Sequence, residues 1–334
     1  MIRRSLSAFA PGLALLGAIA VVASALASLV GVTPILLSIL LGLVLGNTVS
    51  LSPAYRPGIE THTRWLEAGI VLLGATIAVD QIAASGVALL ALIVGVVCCS
   101  ILLVEVLTRV VFGLKGELPS LLAAGMSVCG VSAVVAVAGA IRADERTIAY
   151  VVTGIVLFDT ITLFAYPVVG TLLGLPDRVF GIWAGVSMLS TGPATAAGFT
   201  YSTEAGEWAT LTKLTRNALI GFVALAYAMV YAREATSASR VSHLRTLWET
   251  LPTFVVGFTV LLVLSAMGLF SDRQVEILET TYTWLFVVAF AGLGLSIRAR
   301  QLRTVGVTPI AIMAVGLATI SALSLGVVFV VFGG

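Results

Sequence analysis

The stretch Ala184-Gly185-Val186-Ser187-Met188-Leu189-Ser190-Thr191-Gly192-Pro193-Ala194-Thr195 decides how this chain is read. It lies inside an apolar run from Phe180 to Phe199, long enough to cross a bilayer, which takes ~20 mostly apolar residues. Pro193 lacks a backbone N–H and its ring clashes with the preceding turn, so the stretch predicts a helix broken near Gly192. A break within a bilayer frees N–H and C=O groups that only protein or a wet cavity can satisfy. The half-helix that resumes offers amides and a partial positive charge, suited to an anionic group. Ser187, Ser190, Thr191 and Thr195 add hydroxyls there. Packing of small residues between helices is the competing reading; the proline among hydroxyls favours a site.

A parallel stretch, Ala124-Gly125-Met126-Ser127-Val128-Cys129-Gly130-Val131-Ser132-Ala133, interrupts another apolar run. Gly130 makes a second break plausible, with Ser127, Cys129, Gly130 and Ser132 as candidate site residues. Gly125 alone reads as a packing glycine.

Outward from these stretches the whole chain is apolar. Of 334 residues 59% are hydrophobic and 10% charged, with a mean hydropathy of +1.13, where soluble domains carry ~25% charged residues. That composition predicts an all-α polytopic membrane protein in the cell membrane. The net charge of +2 is scattered over short loops, so nucleic acid is not a partner. Cys98, Cys99 and Cys129 lie in apolar runs without His or carboxylate at ligand spacing, which argues against a disulfide framework or a metal site.

Eleven spans are expected, at about 9–30, 34–50, 65–79, 86–112, 118–141, 148–173, 180–199, 208–232, 251–270, 282–297 and 305–332. Thirteen Lys and Arg residues then share the side of the N-terminus, against Arg142, Arg146 and Arg273 opposite. Positive charge favours the inside, so the N-terminus is expected in the cytoplasm and the C-terminus outside. Arg3 and Arg4 ahead of Ala23-Ser24-Ala25 also fit a cleaved signal, but the apolar run is too long for one. The chain is expected to be one transporter domain over 1–334. Its first helix is a candidate peripheral element, its core of broken helices runs over about 118–232, and Arg233 to Thr250 forms an exposed connector.

An offset of 220 residues gives a gapless internal match. Gly74, Ile77, Gln81, Gly86, Val87 and Ala91 recur as Gly294, Ile297, Gln301, Gly306, Val307 and Ala311. Thr76 becomes Ser296, and Ile82 becomes Leu302. The copies, about 65–112 and 284–332, lie seven helices apart, an odd number, so they cross in opposite senses. Asp80 is expected at the outer turn of the first copy, with Arg298, Arg300 and Arg303 at the inner turn of the second. Inverted repeats characterise secondary transporters, although two contiguous five-helix repeats would put the copies five helices apart.

Charges inside a membrane need a reason. Asp159, mid-span, is expected either as a structural carboxyl or as a coupling site for H+ or Na+. Lys213, Arg216 and Asn217 share a helical face and could hold an anion; snorkelling is the alternative. Arg216 is expected to turn inward and to find Asp159, carbonyls at a break, or the anion. Glu67, Glu105 and Arg109 read as interfacial, and His62 and His243 as loop residues.

Several segments carry a family resemblance. They are Leu41-Gly42 with Gly46-Asn47, Gly69-Ile70-Val71-Leu72-Leu73-Gly74, Ala124-Gly125 with Cys129-Gly130-Val131-Ser132-Ala133, and Ala143-Asp144-Glu145 with Ala149-Tyr150. Phe180-Gly181-Ile182-Trp183-Ala184-Gly185 and Lys213-Leu214-Thr215-Arg216-Asn217 complete the set. Over nearly its whole length the sequence resembles the YeiH-type family of sulfate exporters. The run from Trp65 to Leu173 more distantly resembles the bile-acid/sodium symporter and cation–proton antiporter superfamily, which implies an elevator-like mechanism. After Trp-Ala-Gly the family commonly carries a His-Asp-x-x-Gln-like stretch; here hydroxyls and Pro193 stand instead.

Secondary transport of a small anion, sulfate or a related oxyanion or organosulfonate, is therefore the leading expectation. No cofactor is expected beyond a coupling ion, and a homodimer stays open. Sodium-coupled import of an organic anion is the alternative. An intramembrane enzyme would have to pair Ser127 or Cys129 with Asp159, without a histidine in the membrane.

Overall fold

Helices are the regular structure of the protein in its computed structural model, which describes residues 2–76, 79–234, 253–297 and 307–333. In chain order they are α1 (Ile2–Val30), α2 (Pro34–Thr48), α3 (Arg56–Ile59), α4 (His62–Leu73), α5 (Val79–Val106), α6 (Leu118–Ser127) and α7 (Val131–Ile141). Then follow α8 (Glu145–Leu173), α9 (Asp177–Ser187), α10 (Thr191–Tyr201), α11 (Thr203–Asn217) and α12 (Ile220–Glu234). The last described helices are α13 (Thr253–Ala266), α14 (Asp272–Ser296) and α15 (Val307–Phe332). Among the described residues six helical stretches are long and apolar enough to cross a membrane, and four apolar helices are shorter.

The count of about eleven helices is exceeded, while the breaks expected in two of the spans are present. Hydropathy registers apolar length, not helix continuity. The expected spans at 118–141 and 180–199 are each two half-helices, and the span at 208–232 is α11 and α12 joined through a turn at 218–219. The third span ends early: α4 stops at Leu73, a turn covers Gly74 to Thr76, and α5 starts at Val79, so Asp80 lies in a helix. His62 opens α4 instead of lying in a loop, its Nδ1 2.9 Å from the Ile59 carbonyl. Ile77, His243, Arg298, Arg300, Gln301, Leu302, Arg303 and Gly306 lie outside the described residues, as does most of the connector.

The chain divides into two compact units, Met1–Ala84 with Thr253–Arg300, and Ser85–Pro252 with Gln301–Gly334. In the first, α2 packs on α14, α4 on both α13 and α14, and α1 on α2, α3 and α14. Glycines set these approaches. A Cβ at Gly294 in α14 would collide with the Ile39 carbonyl of α2, and one at Gly74 after α4 with the Phe258 carbonyl of α13. Asn47 Nδ2 donates to the Ile297 carbonyl at 2.8 Å, and Ser265 Oγ to the Ala75 carbonyl at 2.7 Å. So α2 meets the end of α14 as α13 meets the end of α4, and the two repeat-matched glycines do the same task. Each copy of the repeat has residues in both units: α4 and α14 belong to the first, while α5 from Ser85 onward and the whole of α15 belong to the second.

In the second unit α11 packs against both α9 and α10. A Cβ at Gly181 would sit 2.5 Å from the Ala205 carbonyl, and one at Gly185 2.8 Å from that of Ala209. These glycines, one turn apart, let two backbones approach closely, as small residues do in membrane helices. Trp183 Nε1 donates to the Ser321 carbonyl at 2.9 Å and ties α9 to α15. The consequence for the site is positional. With α9 and α11 held this near, the residues on α11 just past Thr212 arrive where α9 ends.

Candidate functional site

Both breaks are built the same way. The first halves end in Ala-Gly-x-Ser, at Ser127 in α6 and Ser187 in α9, and helix resumes at Val131 and Thr191. Gly130 has φ +55° and ψ −123°, a conformation open to glycine and costly for other residues. A Cβ there would also collide with Ser190 Oγ, so glycine is required for the two breaks to touch. At the second break Met188 and Ser190 are extended. The interruption precedes Gly192 rather than falling on it. Pro193 is the third residue of α10, where an N–H would have no intrahelical partner, so the proline begins the second half-helix instead of ending the first.

Each first half leaves carbonyls without N–H partners at its C-terminal, partially negative end. Two cations from α11 take them. Arg216 donates through Nε to Ser127 (2.7 Å), Nη1 to Met188 (2.8 Å) and Nη2 to Met126 (2.8 Å). Lys213 Nζ donates to the carbonyls of Val128 (3.0 Å), Met188 (2.7 Å) and Leu189 (2.6 Å). Both side chains are 0% exposed, so neither snorkels. The guanidinium fork is occupied by backbone of both breaks, and all three lysine donors are used. Of the three partners expected for Arg216, these are the carbonyls at a break; which carbonyls they would be was not readable, because any residue could supply them.

The resumed half-helices start at Val131 and Thr191 with amide ends. Asp159, in the middle of α8 and 6% exposed, accepts the Ser190 N–H through Oδ1 at 3.0 Å, which places a carboxylate at the N-terminus of α10. Asn217 Nδ2 donates to Thr191 Oγ1 at 2.9 Å, and Cys129 Sγ lies 3.6 Å from the same hydroxyl. Asn217 Oδ1 and Ser127 Oγ are buried without a hydrogen-bond partner among the described residues. Ser132 is exposed and Val131, Ser190, Thr191 and Gly192 are half-buried, so this amide face is open.

The structure thus gathers Ser127, Cys129, Gly130, Ser132, Ser190, Thr191, Asp159, Lys213, Arg216 and Asn217 around the paired breaks. Ser187 and Thr195 stand apart from the open face. Ser187 Oγ donates to the Trp183 carbonyl of its own helix, and Thr195 Oγ1 accepts from Thr210 Oγ1 at 3.1 Å; both residues are fully buried.

Paired discontinuous helices, cations on their carbonyl ends and a carboxylate on an amide end define a helical, multi-pass membrane protein with a polar centre built from main chain. Comparison with known proteins gives the family. The chain belongs to the family of conserved hypothetical protein 698, whose model matches residues 11–313. It is 32% identical over 318 residues to a UPF0324 membrane protein of Nitratidesulfovibrio vulgaris Hildenborough, covering 91% of this chain and 88% of that relative. It is similar to the UPF0324 inner membrane protein YeiH of Escherichia coli K12, at 30% identity over 318 residues, 92% of this chain and 90% of the relative. The UPF0324 membrane protein TauZ of Paracoccus denitrificans is 29% identical over 307 residues, 91% and 90% of the two chains. No solved structure matches.

Proposed function

We propose that the protein is a secondary active transporter of a small anion, sulfate or a related oxyanion or organosulfonate, working by elevator-like alternating access. The observation that carries this reading is the meeting of the two breaks at Gly130 and Ser190, with two sets of helix N-terminal amides on one open face. Helix N-termini bind anions, and broken helices near mid-membrane are where transporters place substrate. The anion sits against the first amides of α7 and α10, with the hydroxyls of Ser132, Ser190 and Thr191. Lys213 and Arg216 act behind it, holding the carbonyl ends. Asp159 is the coupling residue for H+ or Na+.

The matched tasks of Gly74 and Gly294 support an inverted repeat, and with it eleven crossings, the N-terminus inside and the C-terminus outside. Catalysis has less support. Asp159 takes the Ser190 amide and Cys129 meets Thr191, and no hydrogen bond joins Ser127 or Cys129 to Asp159 among the described residues.

One observation favours a second reading, sodium-coupled import of an organic anion. Asp159 already carries negative charge at the amide end of α10, and the unpartnered Asn217 Oδ1 is a further oxygen near the breaks, a setting suited to a cation. Uptake by proteoliposomes of labelled sulfate, sulfite, sulfonates and carboxylates, under an imposed pH or sodium gradient, separates the two. Failure to move any of them under either gradient would sink both.

A further inference from the structure

Away from the breaks, the second unit holds a polar cluster at the end of an apolar groove. Glu105 and Arg109, expected as interfacial charges, are the centre of a network. Arg109 Nε donates to Glu105 Oε2 at 2.5 Å and its Nη2 to Ser120 Oγ at 2.9 Å. Ser120 Oγ and Tyr227 Oη both donate to Glu105 Oε1, at 2.9 and 2.8 Å. Tyr231 Oη reaches the Gly116 carbonyl at 3.1 Å. Arg109 is carried on a π-helical turn, Leu107–Val111. Such turns are rare and concentrate at functional sites.

The groove has a volume of about 820 Å3 and runs between α5 and α12, with walls that include Val94, Val97, Ile101, Phe222, Ala226 and Val230. From Val94 to Arg109 it follows the helix for ~22 Å at 1.5 Å per residue. Apolar walls along this length suit a hydrocarbon chain. At the polar end Glu105 is satisfied from within, while the Arg109 side chain stays 41% exposed. Arg109 Nε and Nη2 face Glu105 and Ser120, and the exposed remainder of the guanidinium is what a phosphate can meet.

We propose that this groove is a phospholipid site, with one acyl chain between α5 and α12 and the phosphate on Arg109. It does not depend on the transport reading. The test uses the purified full-length protein, stripped of lipid and read by native mass spectrometry and thermal unfolding. Phosphatidylglycerol, diacylglycerol with the same chains, and glycerol phosphate are supplied in turn. Phosphatidylglycerol should be retained at one per chain and should raise the melting temperature. Diacylglycerol should fall short by about tenfold in affinity, roughly what one charge-assisted hydrogen bond contributes, and glycerol phosphate, without the acyl chain, should not be retained. Ala226→Trp, which fills an exposed part of the groove, and Arg109→Gln should each weaken retention, while Val135→Trp on α7 should not. Equal retention by Ala226→Trp overturns the proposal, and so does diacylglycerol binding as tightly as phosphatidylglycerol. A lipid-independent dimer that Ala226→Trp dissociates overturns it in favour of a second copy.

Discussion

Arg216 Nη1 and Lys213 Nζ donate to the same carbonyl, that of Met188, at 2.8 and 2.7 Å. Two cations one helical turn apart share one oxygen because two helices end there together. The amide end of α10 is met by Asp159. Positive charge on the carbonyl ends and negative charge on an amide end offset the partial charges of the interrupted helices.

Arg216 is the only one of the two cations that bonds both Met126 and Ser127 of the first break and Met188 of the second. Arg216→Ala would leave the Met126 and Ser127 carbonyls without a donor, while Met188 keeps Lys213, and a buried group without its partner costs ~1–3 kcal/mol. A loss of about 3–5 kcal/mol in unfolding free energy is expected, comparable with breaking a buried ionic network. Arg216→Lys keeps the charge and loses the fork, so it should recover only part of that. Unfolding in detergent measures both, and an Arg216→Ala protein of normal stability would make the residue a bystander.

Asp159→Asn preserves the acceptor for the Ser190 N–H, so stability should change little. The negative charge is what disappears. If Asp159 couples transport to H+ or Na+, the variant's rate should lose its dependence on that ion while the bound anion is still recognised. Rates measured across pH and sodium concentration decide it, and an unchanged profile in both would assign Asp159 to structure alone.

Gly130→Ala adds two costs at once, a strained backbone worth about 1–3 kcal/mol and a collision with Ser190 Oγ. Ser190→Gly removes the collision and not the strain. The double variant should therefore be more stable than Gly130→Ala alone, yet less stable than the parent. Stabilities that simply add would mean the two breaks do not press on each other in solution.

These contrasts show what was legible beforehand. Gly/Ser interruptions and Pro193 marked both breaks, since a missing N–H and a missing Cβ are properties of residue type. The position of the second break was misjudged by a turn, because Pro193 suits the start of a helix as well as it ends one. Lys213 and Arg216 were visible as buried charges on one face. Carbonyls at a break were among the partners expected for Arg216, but which ones was not legible, since they are backbone oxygens brought near by the close packing of Gly181 and Gly185 on α11. The Glu105 network joins residues from α5, α6 and α12, and nothing in local spacing shows that they meet.

The paired glycines give the last test. Gly74 and Gly294 stand 220 residues apart and press on carbonyls of Phe258 and Ile39, themselves 219 apart. If a duplicated and inverted module built this unit, the two positions answer to the same constraint. Gly74→Ala and Gly294→Ala should then destabilise by similar amounts, about 1–3 kcal/mol for forcing a methyl into a packed contact. Gly17 on α1 has open space around its Cα, so Gly17→Ala should be neutral or slightly stabilising through helix propensity. Transport and unfolding are both to be followed, because a shared structural constraint predicts parallel losses in the two measurements. A protein that tolerates alanine at one of the matched glycines and fails at the other would reduce the sequence repeat to a resemblance between glycine-rich helices.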